Sequence, residues 1–384
     1  MLLINAKIMT MEDAVIDCGY IQIKEDKIIA VGDMNSAPQD EEILDLQEKT
    51  VYPGFIDAHC HMGMAEEGLD FEGDDLNEMT DPVSPHLRGL DAINPVNKSF
   101  PEAVDAGITT VVTGPGSANA ISGQFCAIKT YGKRVDKMIL REPVAMKFAL
   151  GENPKKVYND KSETPMTRMA TAALIREELS KAKRYLEDVQ RAEEDPEEND
   201  PPEFDAKKEA LIPVLKREVK AHIHCHRSDD IFTAVRLAEE FGLDYVLIHC
   251  TEGHLIVDEL KEIGAPVVNG PLMCTRSKPE LLNASDKTPG VLSKAGLQVA
   301  ICTDYNVIPI WMLPITAGYA VREGMDYGEA LKAITINPAR ICGIEDRVGS
   351  IKVGKDADLL VYSQDPLTLA AKPDMVFING KQVK

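Results

Sequence analysis

Between residues 52 and 345 the chain alternates short apolar runs with amphipathic stretches of helical period, the signature of β–α units in a parallel sheet. The apolar runs are FIDAHCHM, GITTVVTG, FCAIKTYG, VAMKFAL, VKAHIHCH, YVLIHCTE, APVVNG and QVAICTDY. They are apolar on both faces, as strands covered by helices should be. Eight such units predict a closed α/β architecture, a (β/α)8 TIM barrel, more readily than an open sheet. The two ends read differently. LLINAKIMT, YIQIKEDKIIAVG and EEILDLQEKTVYPG at the start, and GSIKVGKDADLLVYS and DMVFINGKQVK at the finish, alternate apolar and polar residues between turn signals. Neither end can bury a core alone. The expected solution is one small β-sandwich domain built from residues 1–51 and 346–384, with the barrel of residues 52–345 inserted between them.

Two stretches exceed a minimal barrel. The connection from Gly63 to Phe100 after the first strand is rich in Asp, Asn and Pro. Connections of that length usually serve function, and this one is expected to cover a substrate. A helical and acidic insertion occupies about 155–210. There Thr164 and Pro165 suggest an N-cap and first turn, and a long helix is expected from Met166 to Arg191. The acidic run that follows reads as a solvated loop.

Composition narrows the class. Apolar residues make up 44% of the 384, enough for a large core. The net charge of −21 argues against nucleic acid or anionic membrane as the main partner. No window carries the roughly 18 uncharged apolar residues of a membrane span. The first residues lack the basic and apolar regions of a signal peptide. None of the eight cysteines has C-x-x-C spacing, so they read as small buried side chains in a reducing cytoplasm.

The histidines carry the chemistry. Seven of eight lie in or beside candidate strands. His59 and His61 end the first strand, two residues apart and hence on one face, with Asp57 below them. His222, His224 and His226 share a face of the fifth strand, and His249 ends the sixth. Asp304 ends the eighth after VAIC, where a carboxylate must be paired, metal-bound or at the rim. Imidazole and carboxylate at several strand ends suit zinc or a related divalent ion. Lys147 stands alone in VAMKFAL. Alternation points it inward between Ala145 and Ala149, with Met146, Phe148 and Leu150 facing the helices. An ammonium buried beside metal ions is disfavoured, whereas a lysine carboxylated by carbon dioxide could bridge two of them. A salt-bridged or substrate-binding lysine is the alternative, and Glu152 is the competing ligand.

Pro53-Gly54-Phe55-Ile56-Asp57-Ala58-His59-Cys60-His61 resembles the opening motif of the amidohydrolase superfamily. His224, His249 and Asp304 follow in the order of that family's ligands on strands five, six and eight. The Ala333–Arg340 segment and the Gly354–Leu359 segment are also similar to family signatures. Within the superfamily the chain looks most like the imidazolonepropionase-like and metal-dependent prolidase-like branch. The resemblance implies a metal-dependent amidohydrolase that cleaves an amide, peptide or cyclic amide C–N bond with a metal-activated water. It implies His59, His61, Lys147, His224, His249 and Asp304 as metal ligands and Asp304 and His249 as catalytic groups. One or two ions are expected, zinc first, manganese or iron as alternatives, with carboxylated Lys147 as a bridge. His226, Arg227 and Arg276 are candidate contacts to a small-molecule substrate, and a homo-oligomer is expected. One rival is a mononuclear deaminase of an aminated heterocycle. Those enzymes carry a glutamate three residues after the strand-five histidine, where this chain has Arg227. The other is a non-catalytic barrel assembly protein, which would have lost ligands that are intact here.

Overall fold

The computed structural model describes residues 1–12, 14–40 and 42–384. Eight strands form the barrel sheet, numbered here in chain order: β1 (Phe55–Cys60), β2 (Ile108–Thr113), β3 (Ile121–Lys129), β4 (Ile139–Ala149), β5 (Lys220–Cys225), β6 (Tyr245–His249), β7 (Val267–Asn269) and β8 (Val299–Ile301). Neighbours in the sheet are neighbours in sequence. All pairings are parallel except those of β3, which runs antiparallel to both β2 and β4. The pattern of apolar runs predicts uniform β–α units; here β2, β3 and β4 instead form a meander. The cause is loop length. The connections of residues 114–120 and 130–138 contain no α-helix and are too short for a crossover, so each strand must turn back on the last.

The seam between β8 and β1 is closed without a strand ladder. The Asp57 carboxylate accepts hydrogen bonds from Thr303 N (3.0 Å), Thr303 Oγ1 (2.5 Å) and His59 N (3.1 Å). Beyond the strand ends, Asp304 N donates to His59 O and His61 N to Tyr305 O. Inside the barrel, Ala58, Val112, Phe125, Ala145, Ile248, Val268 and Ala300 pack together. Alternate residues such as Met146, Phe148, Ile223 and Leu247 face outward. They bury themselves against helices that include Arg168–Glu194 and Ser228–Phe241. Each such fully buried side chain contributes on the order of 1.5–3 kcal/mol.

The insertion comprises helices Glu152–Asn159, Arg168–Glu194 and Ala206–Leu215. The long helix starts later than Thr164 and Pro165 suggest. Thr167 is its N-cap, because its hydroxyl accepts the free Ala170 N–H at 3.1 Å.

Strands from both chain ends join one further eight-stranded sheet. Strand Thr50–Pro53 pairs in parallel with Leu2–Met9 and antiparallel with Leu359–Tyr362, which ties the ends together. One face buries Leu3, Ile8, Ile21, Val51, Leu359 and Phe377. The other face turns Tyr52, Leu360, Tyr362 and Val376 toward Phe55 and Ile108 of the barrel. The Gly354–Leu359 segment has a clear physical task. Its Asp356 carboxylate is buried between Lys27 (2.5 Å), Lys129 (3.0 Å) and a two-point contact from Arg347 (2.8 Å each). Lys129, on β3, also reaches Asp358 at 2.5 Å, so the buried charges pin the sheet of the chain ends to the barrel.

No described helix is long and apolar enough to cross a membrane. All eight cysteines are unpaired, with six of them buried.

Candidate metal centre

The C-terminal ends of the strands open into one cavity of about 680 Å³. His61, His224, His226 and Asp304 line it, and Asn77, Asn153, Lys156, Thr251, Asn269 and Lys278 lie around them. The long connection after β1 contributes Leu76, Asn77 and Met79 to the wall.

Two groups of donors face this space. His59, His61 and Asp304 bring one ligand atom each within 4.8 Å of one another, and so do His224, His226 and His249. In the first group Asp304 Oδ1 lies 3.3 Å from His61 Nε2 and 3.7 Å from His59 Nε2. In the second, the three rings have mutual centroid distances of 4.6 Å. The groups adjoin, with the His59 and His249 rings 5.6 Å apart. Lys147 lies on the floor, fully buried, with Nζ 2.8 Å from His59 Nε2. Its only aromatic neighbour among the described cation–π contacts is Phe125, whose ring also stacks on His59. No carboxylate of a described residue lies within ion-pair distance of that lysine.

Backbone and hydroxyl groups orient the rings. Gly114 O accepts from His61 Nδ1 and Gly270 O from His249 Nδ1, each at 2.7 Å, which leaves each Nε2 lone pair available to its own donor group. Thr251 Oγ1 occupies His226 Nδ1 at 2.7 Å. A left-handed backbone at His249 (φ 69°) turns its ring inward, although its alternate neighbour Leu247 faces the helices. Asp304 also has a left-handed backbone (φ 51°).

The electrostatics favour neutral imidazoles. Burial pushes His249 down to about 4, and burial with the Lys147 charge pushes His222 down to about 3 and His59 well below its ordinary value. His224 and His226 are lowered by burial and by neighbouring imidazoles. Burial alone would raise Asp304, but His249, His61 and Lys147 hold it below the usual carboxylate range. Burial lowers Lys147 to about 8 and raises Asp57 to about 7. Neutral imidazole and ionised carboxylate are the protonation states that bind metal. The buried atoms His59 Nδ1 and His224 Nδ1 lack a hydrogen-bond partner among the described residues. Together with the donor chemistry, these features fit a site for divalent ions.

The remaining candidates fall elsewhere. Arg227 is held by Asp229 through two 3.0 Å bonds, and Arg276 donates to Ala284 O; neither lines the cavity. Glu152 belongs to neither donor group, and its Oε2 accepts from Glu280 N at 3.4 Å. The cations that do line the cavity are Lys156 and Lys278. Sequence reasoning missed both of these, and it also missed Glu280, a carboxylate 1% exposed in the connection after β7. Nothing in the pattern PLMCTRSKPELLNASD distinguishes Glu280 from a surface acid.

Buried histidines and a carboxylate at the C-terminal rim of an eight-stranded barrel define a metal-dependent hydrolase. The profile of the amidohydrolase family matches residues 50–383, and the chain belongs to that family, whose members hydrolyse C–N bonds. It is similar to the crystal structure of an amidohydrolase from Thermotoga maritima MSB8, with 40% identity, a TM-score of 0.95, and coverage of 100% of this chain and 99% of that one. Amidohydrolase tasK of Hapsidospora irregularis is 28% identical over 96% of this chain; the match spans 39% of that longer protein. An imidazolonepropionase of Symbiobacterium thermophilum is 24% identical, covering 92% of this chain and 86% of the relative.

Proposed function

We propose that the chain cleaves an amide-type C–N bond of a small molecule at a centre for two divalent ions, zinc in the first instance. The observation that carries this reading is the pairing of two adjoining donor groups with a fully buried lysine against His59 that makes no ion pair among the described residues. His59, His61 and Asp304 would hold one ion and His224 and His249 the other, with Lys147 as the candidate shared ligand. Carbon dioxide adds to the neutral Lys147 amine, a proton leaves, and the resulting carbamate carries the negative charge that a bridge requires. Glu152 is not among the ligands of this proposal: its Oε2 accepts from Glu280 N, and no histidine stands within ion-pair distance of it among the described residues.

The bound ions supply a water of lowered pKa and an electrophile for the carbonyl. The chain's own groups position and move protons. Asp304, kept ionised by its imidazole neighbours, accepts the proton of the attacking water and delivers it to the leaving nitrogen. His249, with its Nδ1–H held by Gly270 O, would act through the ion it ligates. Lys156 and Lys278 provide positive charge along the wall for a carboxylate on the substrate, the task that the two arginines do not reach. The unpaired cysteines suit a reducing compartment such as the cytoplasm.

The test is a screen of metal-loaded protein against N-acyl amino acids, dipeptides and cyclic amides, following release of amine and carboxylate. Turnover confined to aminated heterocycles, with ammonia as product, would transfer the protein to the deaminases.

A further inference from the structure

Glu280 is buried to 1% exposure beside the second donor group. Its Oε2 accepts the Glu152 N–H at 3.0 Å. Its Oε1 lies 3.6 Å from His226 Nε2, 4.0 Å from His224 Nε2 and 2.7 Å from Lys278 Nζ, yet makes no hydrogen bond of acceptable geometry. This buried carboxylate oxygen has only the Lys278 ammonium as an ion-pair partner, and it otherwise faces the His224 and His226 nitrogens. The spacing is informative. Donors about 2.0–2.2 Å from a tetrahedral ion stand roughly 3.3–3.6 Å from one another; the 3.6 Å from Glu280 Oε1 to His226 meets that spacing, and the 4.0 Å to His224 is slightly longer. The backbone is adapted to admit the carboxylate. A Cβ at Gly151 would stand 2.8 Å from Glu280 Oε2, and that residue's φ of +83° favours glycine as well.

We propose that Glu280, together with His226, completes the coordination of the ion held by His224 and His249. This rests on the metal centre proposed above and extends it to a carboxylate on the connection after β7. His226 is thereby a ligand rather than a substrate contact. The more open coordination belongs to the His59, His61 and Asp304 half. Lys278 shares the carboxylate from the outer side, where it also reaches Asn153 Oδ1 at 3.1 Å.

Equilibrium dialysis against buffered Zn²⁺, with bound metal counted by elemental analysis, tests the assignment without reference to activity. Wild type should bind two equivalents. Glu280→Gln should keep one at wild-type affinity and bind the other about tenfold or more weakly, at least the loss typical of removing a supporting group. His226→Gln should weaken the same equivalent. Glu280→Asp, one methylene too short, should do likewise and serves if the Gln variant fails to fold. Lys278→Met should bind zinc at least as tightly as wild type. Absence of metal from wild type would overturn the centre as a whole. Wild-type binding with unchanged affinities in Glu280→Gln would overturn only the Glu280 assignment. An equal loss in Lys278→Met would do the same, by tracing the effect to the ion pair.

Discussion

Replacing Lys147 by Met should make the metal-free protein more stable. The lysine is fully buried, and burial lowers its pKa from 10.5 to about 8. A folded-state value below the unfolded one means that the native state binds the proton less well. At pH 7 that disadvantage amounts to about 3 kcal/mol. Met has a similar length and no charge to desolvate, so the substitution should recover most of this. Unfolding entropy of about 2.1 cal/mol/K per residue gives roughly 0.8 kcal/mol per degree for this chain, so the melting temperature should rise by about 4 °C. The sign has a pH signature. The cost is fully present below pH 8 and fades as pH climbs toward 10.5, so the two proteins should converge in alkaline buffer. Calorimetry of chelator-treated samples at pH 7 and pH 10 measures both effects. A Lys147→Met protein that melts at or below wild type at pH 7 would refute the reasoning, as would a gap that does not narrow with pH. The same variant should be inactive with metal, so a loss of function would accompany a gain in stability.

Replacing both His59 and His61 by Ala should remove most bound metal by elemental analysis; retention of two equivalents would exclude the first donor group. Asp304→Asn should keep some metal while turnover on a cleaved amide falls roughly 10²–10⁴-fold, and near-normal turnover at saturating metal would remove Asp304 from the proton transfer. Asp356→Ala leaves Lys27 and Arg347 without this partner and Lys129 with Asp358 alone, and should cost roughly 1–3 kcal/mol in denaturant unfolding. Asp356 is held near 2 in the folded state, chiefly by Arg347 and Lys129 against its burial, so its contribution is present above about pH 4. The wild-type advantage over Asp356→Asn should therefore shrink as pH falls from 4 to 2.

The sequence made much of the barrel legible because alternation and strand length are local properties. Ala145, Lys147 and Ala149 share a face, while Met146 and Phe148 pack against the helices, as period two requires. The direction of β3 was less accessible, since it depends on what its flanking connections can span. His249 shows a second limit. By alternation it should follow Leu247 outward, and only a left-handed backbone, invisible in side-chain patterning, brings it to the centre. Glu280 shows a third. A carboxylate donor in an irregular connection has no periodicity to announce it, and its burial is decided by Gly151 and Glu152, some 130 residues earlier.

The Asp57–Thr303 bridge has a bearing on how the protein is made. It joins residues 246 positions apart, at the first and last strands of the barrel. At roughly 5–20 residues per second, a ribosome needs on the order of 12–50 s to travel that distance. Throughout that interval His59 and His61 exist without Asp304, and Lys147 without a completed enclosure. Strand Thr50–Pro53 must also wait for Leu359–Tyr362. The full donor set therefore exists only once the eighth strand has been made. The nascent chain thus passes through a period in which the paired histidines stand without the carboxylate that completes their group.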